Sequence, residues 1–180
     1  MENVFLKTKS EKHCIFSWEK LGNIKEGRGD LGEEVPVLLY RLLQYTMLDV
    51  LSKEFGEEKA NHYIRKAGYL AGKEFVRNVL DLDADFNKFI ADLQKKLQEF
   101  KIGILRIETI DENTGEITLT VAQDLDCSGL PVTDETVCDY DEGFISGILE
   151  LYTKKPYDVR EIDCWASGDR VCRFNCKVVE

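Results

Sequence analysis

The chain has 180 residues, 43% hydrophobic and 10% aromatic, enough for one real core and too apolar for a disordered polymer. Its 24 Lys and Arg against 34 Asp and Glu leave a net charge of −10, which works against direct binding of nucleic acid and against docking on an anionic membrane. No apolar run approaches the ~18 residues of a membrane span, and MENVFLKTKSEKH has no basic segment leading into an apolar one, so a cytoplasmic protein is expected.

Residues 4–9 and 14–18 are short and β-prone. They predict an edge hairpin or a dimer arm within an N-terminal extension, residues 1–34, ahead of a main domain over 35–180. Three glycines between Lys25 and Gly32 read as a plain loop, because the strand-then-helix frame and Lys-Ser/Thr ending of a phosphate loop are missing. A helix is expected from Glu33 to Phe55, with Pro36 in its first turn and Leu39, Leu42, Leu43, Met47, Val50 and Leu51 along one stripe. Gly56 ends it. A second helix, Glu57 to Leu80, puts Tyr63, Ile64, Ala67, Ala71 and Phe75 on one face. Its Gly68 and Gly72 are one turn apart and form a flat strip where another backbone can come close. His62 reads as a solvated or core histidine. A third helix, Asp85 to Phe100, carries Phe86, Phe89, Ile90, Leu93 and Leu97 on one side. Asp81, Asp83 and Asp85 lack the glycine and distal glutamate of a calcium loop, so they read as an N-capping linker.

The pattern then changes to period two. Strands are expected over 104–110 and 116–123, joined by a five-residue loop, Asp111 to Gly115. Residues 126–136 form a Ser/Gly/Pro loop carrying Cys127. Cys138 opens a helix over 139–153, with Phe144, Ile148 and Leu151 on a stripe and Gly143 and Gly147 forming a second close-approach strip. Lys155-Pro156 stops it, and strands over 157–164 and 170–179 finish the chain. This order predicts an α+β fold: N-terminal helices packed on a mostly antiparallel sheet with an inserted helix.

Six cysteines lie in a chain with no export signal, which favours metal or redox chemistry over disulfides. Cys14 reads as an isolated buried thiol. Cys138, Glu161, Cys164 and Cys172 have the types and order of a four-ligand site for structural zinc. Cys138 would sit at a helix N-terminus, which favours a thiolate. Cys164 and Cys172 flank a hairpin turn. Glu161 and Cys164 are three apart and face opposite sides of a flat strand, so the strand must bend near Asp163 for both to reach one ion. Arg160, Arg170 and Arg173 could offset the excess negative charge. Cys176 lies about 13 Å along the strand from Cys172 and belongs to the core. Four saturated positions leave no place for an activated water, so the metal would be structural and no catalytic residue is assigned. Buried free thiols or a redox pair remain the alternatives on spacing alone.

The ordered pattern of Cys138, Gly143-Phe-Ile-Ser-Gly147, Glu161-Ile-Asp-Cys164 and Gly168-Asp-Arg-Val-Cys172-Arg-Phe174 resembles the 4-vinyl reductase domain family, in particular its stand-alone archaeal members described as predicted hydrocarbon binders. The family also includes the sensor domains of phenol-responsive activators and a protein named for vinyl-group reduction. The resemblance implies a ligand-binding fold shared with haem nitric-oxide-binding proteins and TRAPP subunits, commonly dimeric. It also implies that Cys138, Glu161, Cys164 and Cys172 hold a structural zinc beside the ligand pocket. Phenol sensors hold the phenol hydroxyl with a His and a Trp upstream of the first zinc cysteine, but no His or Trp lies between Tyr63 and Cys164 here. A pocket lined by Phe, Ile, Leu and Tyr suits an apolar ligand. The expected function is therefore a homodimeric small-molecule binding or sensing module. Its alternatives are a reductase of vinyl groups, for which no nicotinamide or flavin fingerprint is visible, and a TRAPP-like interaction scaffold.

Overall fold

A computed structural model describes residues 16–179. The expected arm at 4–9, the first half of 14–18 and Cys14 lie outside the described residues. The chain divides into two units, Met1–Glu34 and Val35–Glu180. In the first, a 3-10 turn, Trp18–Leu21, precedes a single helical turn α1, Ile24–Gly27, capped by the Asn23 side chain on the Glu26 amide. That turn stands where a loop was expected.

The second unit carries helices α2 (Val37–Phe55), α3 (Glu57–Val79), α4 (Phe86–Glu99) and α5 (Asp139–Thr153) and strands β1 (Ile104–Ile110), β2 (Ile117–Ala122), β3 (Tyr157–Asp163) and β4 (Cys172–Val178). The strands form one antiparallel sheet in the order β1-β2-β4-β3, with α5 inserted between the two hairpins. The fold is α+β, and it follows the periodicities read above to within a few residues at each end. Pro36 caps α2 from outside instead of entering its first turn. Gly56, at φ 84, both ends α2 and precedes α3, a backbone state that only glycine adopts freely. Asp85 caps α4 by accepting from the Lys88 amide at 3.0 Å, as the capping reading required.

One sheet face and the helices α4 and α5 enclose the core. Leu105, Leu119, Val121, Phe174 and Cys176 come from the sheet, Phe89, Ile90, Leu93 and Leu97 from α4, and Phe144, Ile145, Ile148 and Leu149 from α5. Tyr152 stacks on Phe89 with centroids 3.9 Å apart and donates its hydroxyl to the Ala84 carbonyl.

Helix α3 lies against α5 with their backbones almost touching. A Cβ on Gly68 would stand 2.0 Å from the Tyr140 carbonyl oxygen, and one on Gly72 2.1 Å from that of Phe144. From the other side, a Cβ on Gly143 would stand 1.9 Å from the Arg65 carbonyl oxygen, and one on Gly147 2.2 Å from that of Tyr69. The two glycine strips are thus each other's partners. Arg65, Tyr69 and Lys73 on α3 then reach Asp139, Glu142 and Glu150 on α5.

Helix α2 turns its apolar stripe outward. Tyr40, Arg41, Gln44 and Tyr45 face the body of the domain, while Leu38, Leu42, Leu43, Met47 and Val50 are 48–73% exposed. The physical reason is the segment those polar side chains grip. Tyr40 and Gln44 donate to the two oxygens of Asp126, Tyr45 to its carbonyl, and Arg41 to the carbonyls of Leu125 and Ser128. A buried loop needs such partners for its backbone, and a leucine stripe supplies none.

Candidate metal centre and adjoining cavity

Four cysteines converge from four segments. Cys138 is the residue before the first turn of α5, Cys172 opens β4 opposite Val121, Cys164 follows β3, and Cys127 lies in the loop after β2. All four are buried, and their sulfurs lie within 4.8 Å of one another. The Cys138 sulfur is 3.8 Å from both Cys164 and Cys172, and Cys127 is 3.0 Å from Cys172. Sulfurs on a tetrahedral ion with ~2.3 Å bonds stand about 3.8 Å apart, so the donor set fits zinc once Cys127 eases back.

The chain brings them together by local devices. Asp124 accepts from the amides of Asp126 and Cys127 and curls the loop so that Cys127 points inward. Past β3, Cys164 starts a tight turn in which the Ser167 hydroxyl bonds both its amide and its carbonyl. The bend expected near Asp163 is a β-bulge: Glu161 pairs with Phe174 and Asp163 with Arg173, leaving Ile162 as the extra residue. The bulge resets the strand's parity, so Glu161 and Cys164 are both buried while Ile162 is 51% exposed.

Glu161 stands beside the sulfurs and not among the four converging donors. Its Oε2 accepts from the amides of Val137 at 3.2 Å and Cys138 at 3.0 Å, and its Oε1 has no partner. Burial pushes its carboxyl up to about 8. Cys176 is fully buried in the core, four residues along β4 from Cys172, and lies outside the converging set. Two of the three flanking arginines have other partners: Arg173 bonds Glu108 and Asp163, and Arg160 bonds Asp158 and lies 3.7 Å from Glu142.

The clustered thiols perturb one another. Hydrogen bonding with the sulfurs of Cys127, Cys138 and Cys172 pulls the Cys164 thiol's pKa well below the usual thiol range. Cys138 is pushed up by its hydrogen bonds to Cys127, Cys164 and Cys172.

Next to the cysteines the core is incompletely filled. A cavity of about 40 Å³ lies between α4, α5 and the sheet, walled by Ile90, Leu93, Leu97, Leu119, Phe144 and Ile148 among others. Two acids, Asp124 and Asp141, close one end of it. Their oxygens lie within 4.8 Å of each other and of the Cys138 sulfur. Burial, then the neighbouring charges of Asp124 and Asp126, keep the Asp141 carboxyl well above the usual carboxylate range. Its Oδ2 has no partner, and such a buried orphan costs about 1–3 kcal/mol. Burial and Asp124 likewise push Asp126 up to about 6, against the bonds from Tyr40 and Gln44.

Cys127, Asp124 and Asp141 were not singled out by sequence reasoning. Cys127 is one residue in a loop of turn formers, and only its place eleven residues before Cys138 hints at a shared ion. Asp141 had a clearer signal: it shares the helical stripe of Phe144, Ile145 and Ile148, where an acid is out of place.

A Methanocaldococcus jannaschii protein, MJ1642, is 31% identical to this chain over 152 residues, 84% of this chain and 83% of that one. The V4R domain family model matches residues 117–178, from β2 through β4, which contain all four clustered cysteines. The chain belongs to the V4R domain family. Solved structures share the fold. A vinyl-4-reductase family protein from Methanocaldococcus jannaschii superposes with a TM-score of 0.59 at 19% identity, covering 83% of this V4R chain and 85% of its own. The phenol-responsive sensory domain of the transcription activator PoxR, solved with phenol, gives 0.63 at 14% identity over 82% and 76%. Subunit 3 of a trafficking protein particle complex from Naegleria fowleri, covalently bound to palmitic acid, gives 0.58 at 15% identity over 81% and 98%. No described helix of this V4R protein is long and apolar enough to cross a membrane.

Proposed function

We propose that this V4R domain is a non-enzymatic module that binds a small apolar molecule, works as a homodimer, and is braced by a structural zinc. The observation that carries the reading is the apolar cavity between α4, α5 and the sheet, whose polar end adjoins the cysteine cluster. Apolar walls with a few convergent polar groups are the usual make-up of a ligand pocket. The PoxR domain and the trafficking subunit, which share the fold, were solved with phenol and with palmitic acid respectively. Benzene fills an apolar cavity of about 150 Å³. A ring-sized ligand therefore requires the ~40 Å³ space to widen by rotation of wall side chains such as Leu93 and Ile148.

Zinc would be held by Cys138, Cys164 and Cys172, with Cys127 in the fourth place that geometry offers. Glu161, the carboxylate expected there by family resemblance, would then fix the Cys138 backbone through its bond to the Cys138 amide. Filled by four protein ligands, the ion would staple α5 to the terminal hairpin and to the α2-gripped loop, leaving no open position for chemistry. The outward apolar stripe of α2 supports dimerisation, because five large apolar side chains in one row are normally covered. The net charge of −10 supports a partner that is neither nucleic acid nor an anionic membrane.

Native mass spectrometry of gently purified protein tests the reading. A dimer carrying one zinc per chain and an apolar adduct is expected. A bare monomer that also takes up no added apolar probe would overturn it.

A further inference from the structure

We infer that the cavity selects ligands bearing a hydrogen-bond-donating head, an alcohol or an amine on an apolar body, and that Asp141 is the residue that reads this head. The inference rests on the binding-module reading above and adds the class of ligand.

Asp141 lines the cavity, is 7% exposed, and has an Oδ2 without a hydrogen-bond partner among the described residues. The cavity's other polar member, Asp124, has its Oδ1 occupied by the amides of Asp126 and Cys127. Asp141 therefore presents the acceptor left over. On α5 it heads a stripe that continues through Phe144, Ile145 and Ile148, all lining the same space. From Asp141 to Ile148 is about 10 Å along the helix at ~1.5 Å per residue. One polar atom at the end of a long apolar wall matches a molecule with one polar end. The side-chain hydrogen bond between Asp141 and Asp124 takes up the carboxyl proton, so the free Oδ2 is an acceptor, and a head that donates is favoured over one that only accepts. A site built around such a bond rejects the analogue lacking it, because its own polar atom is then left unpaired. Among the described residues no arginine, lysine or histidine lines this cavity, so a carboxylate or phosphate head is disfavoured.

The experiment titrates native full-length protein, zinc retained, with pentan-1-ol, pentan-1-amine and 1-methoxypentane, reading affinity by calorimetry and location by shifts of isoleucine and leucine methyl signals. The ether has the same apolar body but no donor. The alcohol and the amine should bind at least about tenfold more tightly than the ether, the size of one good hydrogen bond. Asp141→Leu should bring all three within about threefold of one another. Asp141→Asn, which keeps an acceptor oxygen and the shape, should retain the preference for both donors over the ether. Equal affinity of alcohol and ether in the wild-type protein would overturn the inference and leave the binding module standing. Failure of all three to move the cavity methyl signals would sink both together. A second divalent ion per chain, lost in Asp141→Asn, would also overturn it, by giving the two acids a metal to hold.

Discussion

Adding one methyl group at Gly143 should be among the most damaging small changes this domain can suffer. The Cβ of Gly143→Ala would stand 1.9 Å from the Arg65 carbonyl oxygen, which is backbone and cannot rotate away. Restoring an ordinary contact near 3.4 Å requires α3 and α5 to part by about 1.5 Å. A gap of 0.5–1 Å already forfeits a quarter to a half of a dispersion contact, so a larger one loses most of the packing along two helices of 23 and 15 residues. Alanine should help by about 1 kcal/mol through helix propensity. Overpacking a well-filled interface costs about 1–3 kcal/mol and sometimes more. A backbone-to-backbone clash belongs at the upper end, which leaves a net loss of about 2 kcal/mol or more. Urea denaturation is the assay, with Ala91→Gly on the exposed face of α4 as the reverse exchange, expected to lose about 1 kcal/mol from propensity alone. Because α5 carries Cys138 and Asp141, the damaged helix pair should also weaken metal retention. A Gly143→Ala protein as stable as the wild type would refute the interlocked-glycine account.

Three further outcomes are expected. Cys164→Ser should strip bound zinc, read by elemental analysis, and lower the urea midpoint sharply, since structural zinc contributes as much as about 10–16 kcal/mol to small domains that depend on it. Leu43→Glu, on the outward stripe of α2, should shift the dimer toward monomer in light scattering while leaving the helical circular dichroism signal unchanged. Glu150→Gln probes pH. The Tyr69 hydroxyl, then Lys73, hold the Glu150 carboxyl below the usual range, so its stabilisation is present above the unfolded carboxylate range and lost as pH falls through the folded one. The variant should therefore be less stable by about 0.5 kcal/mol near pH 7 and indistinguishable near pH 3, by urea midpoints at both values.

Much of this architecture was legible residue by residue. The helix and strand spans came from periodicity, Asp85 from its capping position, and the bend beside Asp163 from strand parity alone, which Ile162 supplies as a bulge. Both glycine strips were visible too, but periodicity assigns a face without naming what meets it, so their pairing appeared only in three dimensions. The same limit explains α2. An apolar stripe does not say whether it faces a core or a partner, and the decision here came from Asp126 and the loop carbonyls, which are far away in sequence. Cys127 escaped notice because its position depends on an Asp124-centred turn, and Asp141 because the fold buries a residue type that is ordinarily exposed and charged.

The most direct test of the central claim is a methyl-resolved NMR titration of the zinc-retaining protein with pentan-1-ol. The account predicts saturable shifts confined to cavity residues such as Ile90, Leu93, Ile145, Ile148 and Leu149. Shifts only on the outward leucines of α2, or none that saturate, would contradict a ligand-binding role.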